Sequence, residues 1–446
     1  MRQVKRIETN PKQEVYWQET VIRAAECTDC MNLVQLLPEI TEQTMEGFGG
    51  AFTESSAVNY YRLGKERQKE FIECYFGESG LRYNLGRVSI NSCDFALGNY
   101  TYVEEGDTTL HSFSIAHDRQ QILPMIQAAM GCTGGGMRFL ASPWSPPAYM
   151  KTNGEMNHGG KLKEEARELW AQYFVKFIRE YREAGVPIAA VTVQNEPAAV
   201  QTWDSCTYSA QEEGCFVAKH LGPALERAGM KDVDIYVWDH NKELLYQRYG
   251  DAISVPGADR YIKGAAMHWY TGDHFDAIEI LKKKYPGIKL LFSEGCVEYS
   301  RFADSGEVRK AEMYAHDMMG NFRAGVSSYL DWNLLLDEQG GPNHVGNFCA
   351  APVMLDPAQE SGYTKKLTYY YIGQFSRYIP AGSVKIATTQ YTDGLEVCAF
   401  LTPSGERVLV VLNKTEEARP VVIREEEEGF GDEIAAHSMV TYVIEK

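Results

Sequence analysis

Nowhere in these 446 residues does an apolar run approach the roughly 20 residues of a membrane span, so no membrane partner is expected. The first twenty residues, MRQVKRIETNPKQEVYWQET, lack the apolar stretch a secretory signal needs, and the expectation is a cytoplasmic chain. Positive charge is also scarce. Lys and Arg number 44 against 61 Asp and Glu, a formal net charge of −17, which repels phosphate backbones and disfavours nucleic acid as a partner. Repeats and low-complexity tracts are absent. The ten cysteines are scattered, and the one close pair, Cys27 and Cys30 in CTDC, has neither a second CxxC nor a thioredoxin-like βαβ context. The cysteines are therefore read as reduced, buried or half-buried thiols. No HxH or HExxH spacing occurs among the ten histidines, so no metal is expected, and no cofactor. No GxxxxGK[ST] loop occurs either. The GCTGGG stretch at 131–136 lacks its lysine, precedes a strand, and reads as a loop ending a helix.

What is present describes a folded chain: 44% hydrophobic and 12% aromatic residues. Its length predicts one large domain with a small satellite. Eight short apolar runs fall near 45–52, 81–90, 137–142, 188–194, 233–238, 263–268, 288–293 and 326–334. Between them lie stretches of helical periodicity at 65–76, 118–130, 162–184, 209–228, 274–285 and 308–323, with another at 362–379. Eight strand–helix units predict a (β/α)8 barrel over 45–379; an open doubly wound sheet fits the count of eight less well. Residues 380–446 read as alternating short strands with Gly, Pro, Asn and Asp turns, and residues 1–44 as strands that complete the same β-sandwich. The charge run REEEE at 424–428 reads as a solvated loop.

A barrel places its active site at the carboxyl ends of its strands. Following each run in turn come Thr53 and Glu54; Ser92, Cys93 and Asp94; Pro143, Trp144 and Ser145; Asn195 and Glu196; Asp239 and His240; His268, Trp269 and Tyr270; Glu294; and Trp332 with Asn333. This is a ring of carboxylates, aromatics and amides with almost no Lys or Arg, which does not suit a phosphorylated substrate. It suits a sugar, whose C–H faces stack on aromatic rings and whose hydroxyls need amide or carboxylate partners. Glycosidic cleavage takes one protonated and one ionised carboxyl. Glu196 and Glu294, at the ends of the fourth and seventh runs, are that pair, although either alone reads sooner as a helix cap or an arginine partner. Asp94 and Asp239 are open between hydrogen-bond partners in the site and helix caps. Trp269 reads as packing.

The motifs GFGGAFTESSA (47–57), SCDFALGNYTY (92–102), ASPWSPPAYMKTNG (141–154), VQNEP (193–197), HWY (268–270), FSEG (292–295) and DWNLLLDEQGGPN (331–343) resemble glycoside hydrolase family 30, in particular its glucosylceramidase-like branch. The resemblance implies a (β/α)8 barrel with a β-sandwich formed by both termini, and hydrolysis of a small soluble β-glycoside or oligosaccharide with retained anomeric configuration. It matches Glu196 to the acid/base, Glu294 to the nucleophile and Asn195 to the partner of the substrate 2-hydroxyl. Trp144, Trp332 and Asn347 match contacts of the glycone pocket, and His268 and Tyr270 match neighbours of the nucleophile, with Tyr270 orienting Glu294. Glu54 stands where the family usually has an Asp that grips outer hydroxyls. Its extra methylene is expected to crowd a hexose CH2OH and leave a pentose open. His344 stands where Trp is common, as a pocket-rim residue or a plain structural one. The resulting expectation is an exo-acting β-glucosidase, with a β-xylosidase or endo-β-1,6-glucanase as rivals and a silent carbohydrate-binding barrel as the non-enzyme alternative. Glu196 is expected to have a raised pKa, and the two carboxyls to lie about 5–5.5 Å apart.

Overall fold

The computed structural model describes residues 2–446. Eight parallel strands close into a barrel in chain order: Gly47–Ala51, Leu85–Ile90, Arg138–Pro143, Ile188–Thr192, Asp234–Asn241, Ile262–His268, Lys289–Glu294 and Ser328–Asn333. They are numbered one to eight below. Each is a nearly continuous apolar run because helices cover the outside of the barrel and side chains fill its inside. The lower layer of that filling is Leu85, Leu140, Tyr236, Ala266, Leu291 and Leu330. Strand one has almost no side chains. A Cβ on Gly49 would lie 2.2 Å from the Leu85 carbonyl oxygen, so strands one and two approach this closely only with glycine there.

The helices follow the expected order, with shifted ends. The stretch predicted over 162–184 opens with a 3-10 turn at Glu164–Ala166 and continues as the helix Arg167–Glu183, which buries Trp170, Tyr173, Phe174, Phe177 and Ile178. The helix predicted from 118 starts at Ile122, and the last helix, predicted over 362–379, is Leu367–Ser376 behind a short strand at Tyr363–Lys365.

Both termini build one ten-stranded ladder beside the barrel. Gln3–Asn10 pairs with the last strand, Ser438–Ile444, and the long strand Leu33–Thr44 lies between Val384–Thr388 and Arg419–Glu425. Along Leu395–Leu401 the side chains alternate: Val397 and Ala399 enter the sandwich core, while Cys398 and Phe400 join the core shared with the barrel. Phe400 meets Phe322 of the barrel helix Glu307–Ala324 edge-on, at 5.9 Å between ring centroids.

Two expectations need correction. The charged run 424–428 is the tip of a hairpin between Arg419–Glu425 and Glu428–Ile434, with Glu426 and Glu427 as its exposed turn, so the expectation of solvation fails only for its start. Glu425 is buried there, because Arg407 and Arg2 reach it at 2.6 Å and 3.0 Å and neutralise it. Cys30 and Cys132 are exposed rather than buried, since a hairpin-side loop and a helix end carry them to the surface; all ten cysteines are free thiols.

Candidate active site

The carboxyl ends of strands four to six are irregular, and that irregularity aims the site. Strand five bulges against strand six, its register shifting between Trp238 and His240, and Trp238 and Asp239 take left-handed φ values of 76° and 47°. Glu196, just past strand four, also sits at φ 47°, its amide donating to the Asp239 carbonyl at 3.0 Å. A non-glycine residue held in this region costs about 1–3 kcal/mol and persists only where its surroundings enforce it. The bulge turns Asp239 into the barrel, where Thr192 and Ser293 donate to it at 2.7 and 2.5 Å.

At the centre lies Arg87 of strand two, completely buried. Its guanidinium donates to Glu294 at 2.6 Å, to Asp239 at 2.9 Å and to the side-chain oxygen of Asn195 at 2.9 Å. Two aromatic rings cover it, those of Trp144 and Trp332, 4.8 and 5.4 Å from the guanidinium carbon and stacked on each other. The bond to Asn195 uses the amide oxygen and leaves the amide NH2 for the cavity. The Tyr270 hydroxyl donates to the other Glu294 oxygen at 2.8 Å. His268, fully buried, joins the two glutamates: its Nδ1 lies 3.4 Å from Glu196 and 4.0 Å from Glu294, while Nε2 faces Asp239 at 3.1 Å. The nearest glutamate oxygens are therefore separated by no more than these two short distances laid end to end.

The electrostatics follow from this packing. Burial pushes the Asp239 carboxyl up, but the Arg87 charge and the His268 hydrogen bond outweigh it and hold it well below the usual range. Burial works against a charged His268 too, yet Glu294, Asp239 and Glu196 raise its pKa to about 9. Glu196 moves opposite to expectation. Burial raises it, but the His268 hydrogen bond and the nearby His240 and His268 charges bring it down to about 2. The correction has a plain cause: Glu196 and His268 titrate as a pair, the imidazole pulling the carboxyl down while the carboxylates around it raise the imidazole. Asp94, buried and near Glu294 and Asp204, is pushed up to about 8.

Above Arg87 opens a cavity of about 180 Å³. Asp94, Trp144, Asn195, Glu196, Tyr270, Glu294, Trp332 and Asn347 line it. Asn347 Nδ2 donates to Asp94 Oδ2 at 3.0 Å, and Asp94 Oδ1 has no partner among the described residues. Among those residues no three His, Cys, Asp or Glu side chains are grouped to hold a metal ion.

The family model for the glycosyl hydrolase family 30 TIM-barrel domain matches residues 45–379, and that for the family 30 β-sandwich domain matches 382–442. This chain is a family 30 glycoside hydrolase. The hydrolase is 34% identical over 431 residues to the lysosomal acid glucosylceramidase of Mus musculus, an alignment covering 92% of this chain and 83% of that protein. It is 28% identical over 398 residues to the endo-1,6-beta-D-glucanase neg1 of Aspergillus fumigatus, covering 83% and 79%. Among solved structures, SrfJ from Salmonella typhimurium superposes with a TM-score of 0.96 at 39% identity over all of both chains. The endo-beta1,6-glucanase BT3312 superposes at 0.89, with 26% identity over 99% of each.

Of the residues singled out in the sequence of this family 30 hydrolase, two groups stand apart from the cavity. His268 is beneath it, touching both glutamates. Glu54 does not line it. Thr53 caps the helix Glu54–Arg62, and the Glu54 carboxylate turns away to His117 Nε2 at 2.8 Å and the Leu97 amide at 2.9 Å. The crowding expected of its extra methylene therefore has no place to act. His344 also lies off the cavity, beside the Ala96 carbonyl at 3.2 Å and Asp204 at 3.6 Å, and it fixes a loop. Trp269 packs against Tyr314 at 4.7 Å. The site residues missed in the sequence include Arg87, Gln201, Trp203 and Glu298. Only Arg87 left a signal, as one of two cations inside the apolar run 81–90.

Proposed function

We propose that this hydrolase is a retaining, exo-acting β-glycosidase that releases a terminal β-linked glucose from small glycosides or oligosaccharides. The observation carrying the reading is the approach of Glu196 and Glu294 to one imidazole nitrogen, at 3.4 and 4.0 Å. It sets both carboxylates at one cavity, and the retaining outcome is supported by the resemblance of the VQNEP and FSEG motifs to family 30. The cavity of about 180 Å³ is smaller than the ~300–1,000 Å³ of pockets for drug-sized ligands, which favours one enclosed ring and exo-action. Glucose is favoured over xylose because the relatives are named for glucosylceramide and 1,6-β-glucan, and because the structural argument for a pentose rested on Glu54.

In this mechanism Glu294 attacks the anomeric carbon, held by Arg87 and Tyr270 so that one oxygen stays aimed at the sugar. The proton resting on His268 passes to Glu196, which gives it to the leaving oxygen. Ester formation removes the Glu294 charge that helped to hold that proton. Glu196, again ionised, then takes a proton from water as the water attacks the ester, and the cycle closes. The Asn195 NH2 donates to the 2-hydroxyl, Asp94 and Asn347 hold outer hydroxyls, and the Trp144 and Trp332 rings face the sugar.

A panel of p-nitrophenyl β-glycosides, followed by inactivation with a 2-deoxy-2-fluoro-β-glucosyl fluoride and peptide mapping, tests the proposal. Glucoside turnover above xyloside turnover, with the label on Glu294, is the expected outcome. No turnover and no label would leave a silent carbohydrate-binding barrel.

A further inference from the structure

Three loops at the mouth of the barrel meet at one contact. Ala96 belongs to the loop after strand two, Asp204 to the loop after strand four and His344 to the loop after strand eight. Asp204 is buried, and its Oδ1 accepts from Ser92 at 2.5 Å and from Asn99 at 2.9 Å. Its Oδ2 has no hydrogen-bond partner among the described residues, and neither has His344 Nε2, which faces it at 3.6 Å. That is an ion-pair distance, too long for a hydrogen bond. His344 Nδ1 lies 3.2 Å from the Ala96 carbonyl oxygen, which can only accept, so Nδ1 carries the proton of a neutral ring. A neutral ring would then turn a bare lone pair on Nε2 toward a carboxylate, with both atoms buried and unpaired. A second proton on the ring removes that conflict and closes the contact as an ion pair.

The loop that carries His344 also carries the groups that hold Asp94. Asn343 and Asn347 both donate to Asp94 Oδ2, at 3.4 and 3.0 Å, and the His344 amide donates to the Asp94 carbonyl at 3.3 Å. Asn343 Oδ1 accepts from the amides of Val345 and Asn347, at 3.0 Å each, which makes residues 343–347 one closed turn. The start of the turn is anchored to the helix Glu54–Arg62 by Asn59, which donates to the Gly341 carbonyl at 2.8 Å. Its middle is anchored by the His344 ring. Asp204 also acts on Asp94 through charge, being one of the carboxylates that raise it, and a cation on Asp204 limits that effect.

We infer that His344, paired with Asp204, is a positioning residue for sugar recognition: it locks the turn 343–347 to the loops after strands two and four and so sets Asp94 and Asn347 where they meet the outer hydroxyls. The His344 side chain lies off the cavity and acts only through those two residues. The inference rests on the proposed function, in which Asp94 and Asn347 hold those hydroxyls.

The test is steady-state hydrolysis of p-nitrophenyl β-glucoside by the whole enzyme, with active sites counted by titration with a 2-deoxy-2-fluoroglucosyl reagent. His344→Ala should raise KM about tenfold while kcat per titrated site changes less than about twofold. Asp204→Asn should raise KM in the same way, and His344→Gln, which keeps a donor, should recover part of the loss. Asp94→Asn raises KM by itself. Adding His344→Ala to it should cost no more than about twofold further, because both losses pass through one carboxylate. An unchanged KM in His344→Ala, or a full tenfold loss added in the Asp94→Asn background, overturns the inference. Misfolding shows separately, as a fall in titrated sites, and Asp204→Asn and His344→Gln then carry the same comparison. Absence of glucoside turnover in the parent enzyme overturns the proposed function instead, and the inference with it.

Discussion

Removing the Glu196 carboxyl separates the two halves of the proposed cycle. Glu196→Ala should keep the first step on aryl glycosides with good leaving groups and lose about 10²–10⁴-fold on poor ones. kcat/KM plotted against leaving-group pKa measures this, and an equal loss for both classes would contradict an acid role. In the proposed cycle the proton that Glu196 delivers is set by its partner. With the pair's proton on His268, whose pKa is raised to about 9, the alkaline limb of kcat/KM should fall near pH 9. The sign is that of a raised cationic acid: the charged form is present below its ordinary 6.5 and is lost as pH rises through about 9. His268→Gln should move that limb to lower pH, because Glu196 then titrates itself, with only His240 beside it. A limb that stays in place would remove His268 from the proton balance. None of this is readable from HWY and NEP as strings, since the sharing depends on a 3.4 Å approach between residues of different strands.

Barrel strands buried on both faces are continuous apolar runs bounded by turn residues, so all eight were legible to within a few positions. What was not legible is which way a residue turns inside a closed barrel. Arg87 in LRYNLGRVSI looks like an interruption, and only closure shows it pointing at Glu294 and Asp239. Glu54 failed for a related reason: its partners, His117 and the Leu97 amide, lie on a loop whose path the sequence does not reveal. Glu425 was taken for solvated charge because strand-pairing with residues near both ends decides its surroundings. Closure also explains strand one. Gly49→Ala should destabilise by about 1–3 kcal/mol, since the added methyl meets backbone rather than a flexible side chain. A denaturation midpoint unchanged from the parent would show that the two strands part at little cost.

Across the whole molecule the barrel and the terminal sheet share one apolar core. Phe400, Val408, Val410, Leu412, Met439 and Val443 of the sheet belong to the same cluster as Phe322 and Phe375 of the barrel's helices. The contact is also ionic: His316 of the helix Glu307–Ala324 faces Glu396 at 2.7 Å, and Lys414 reaches the same carboxylate. A chain cut to residues 45–379 should therefore expose this face and fail to fold as a soluble barrel, and the intact protein should unfold in one transition. A truncated barrel that stays monomeric with native-like unfolding would show that the sheet is an appendage.

The central claim is a covalent cycle run by Glu196 and Glu294 on one anomeric centre. Proton NMR of the first sugar released from an aryl β-glucoside, recorded before mutarotation, tests it most directly. The account predicts the β-anomer as first product; the α-anomer appearing first would contradict it.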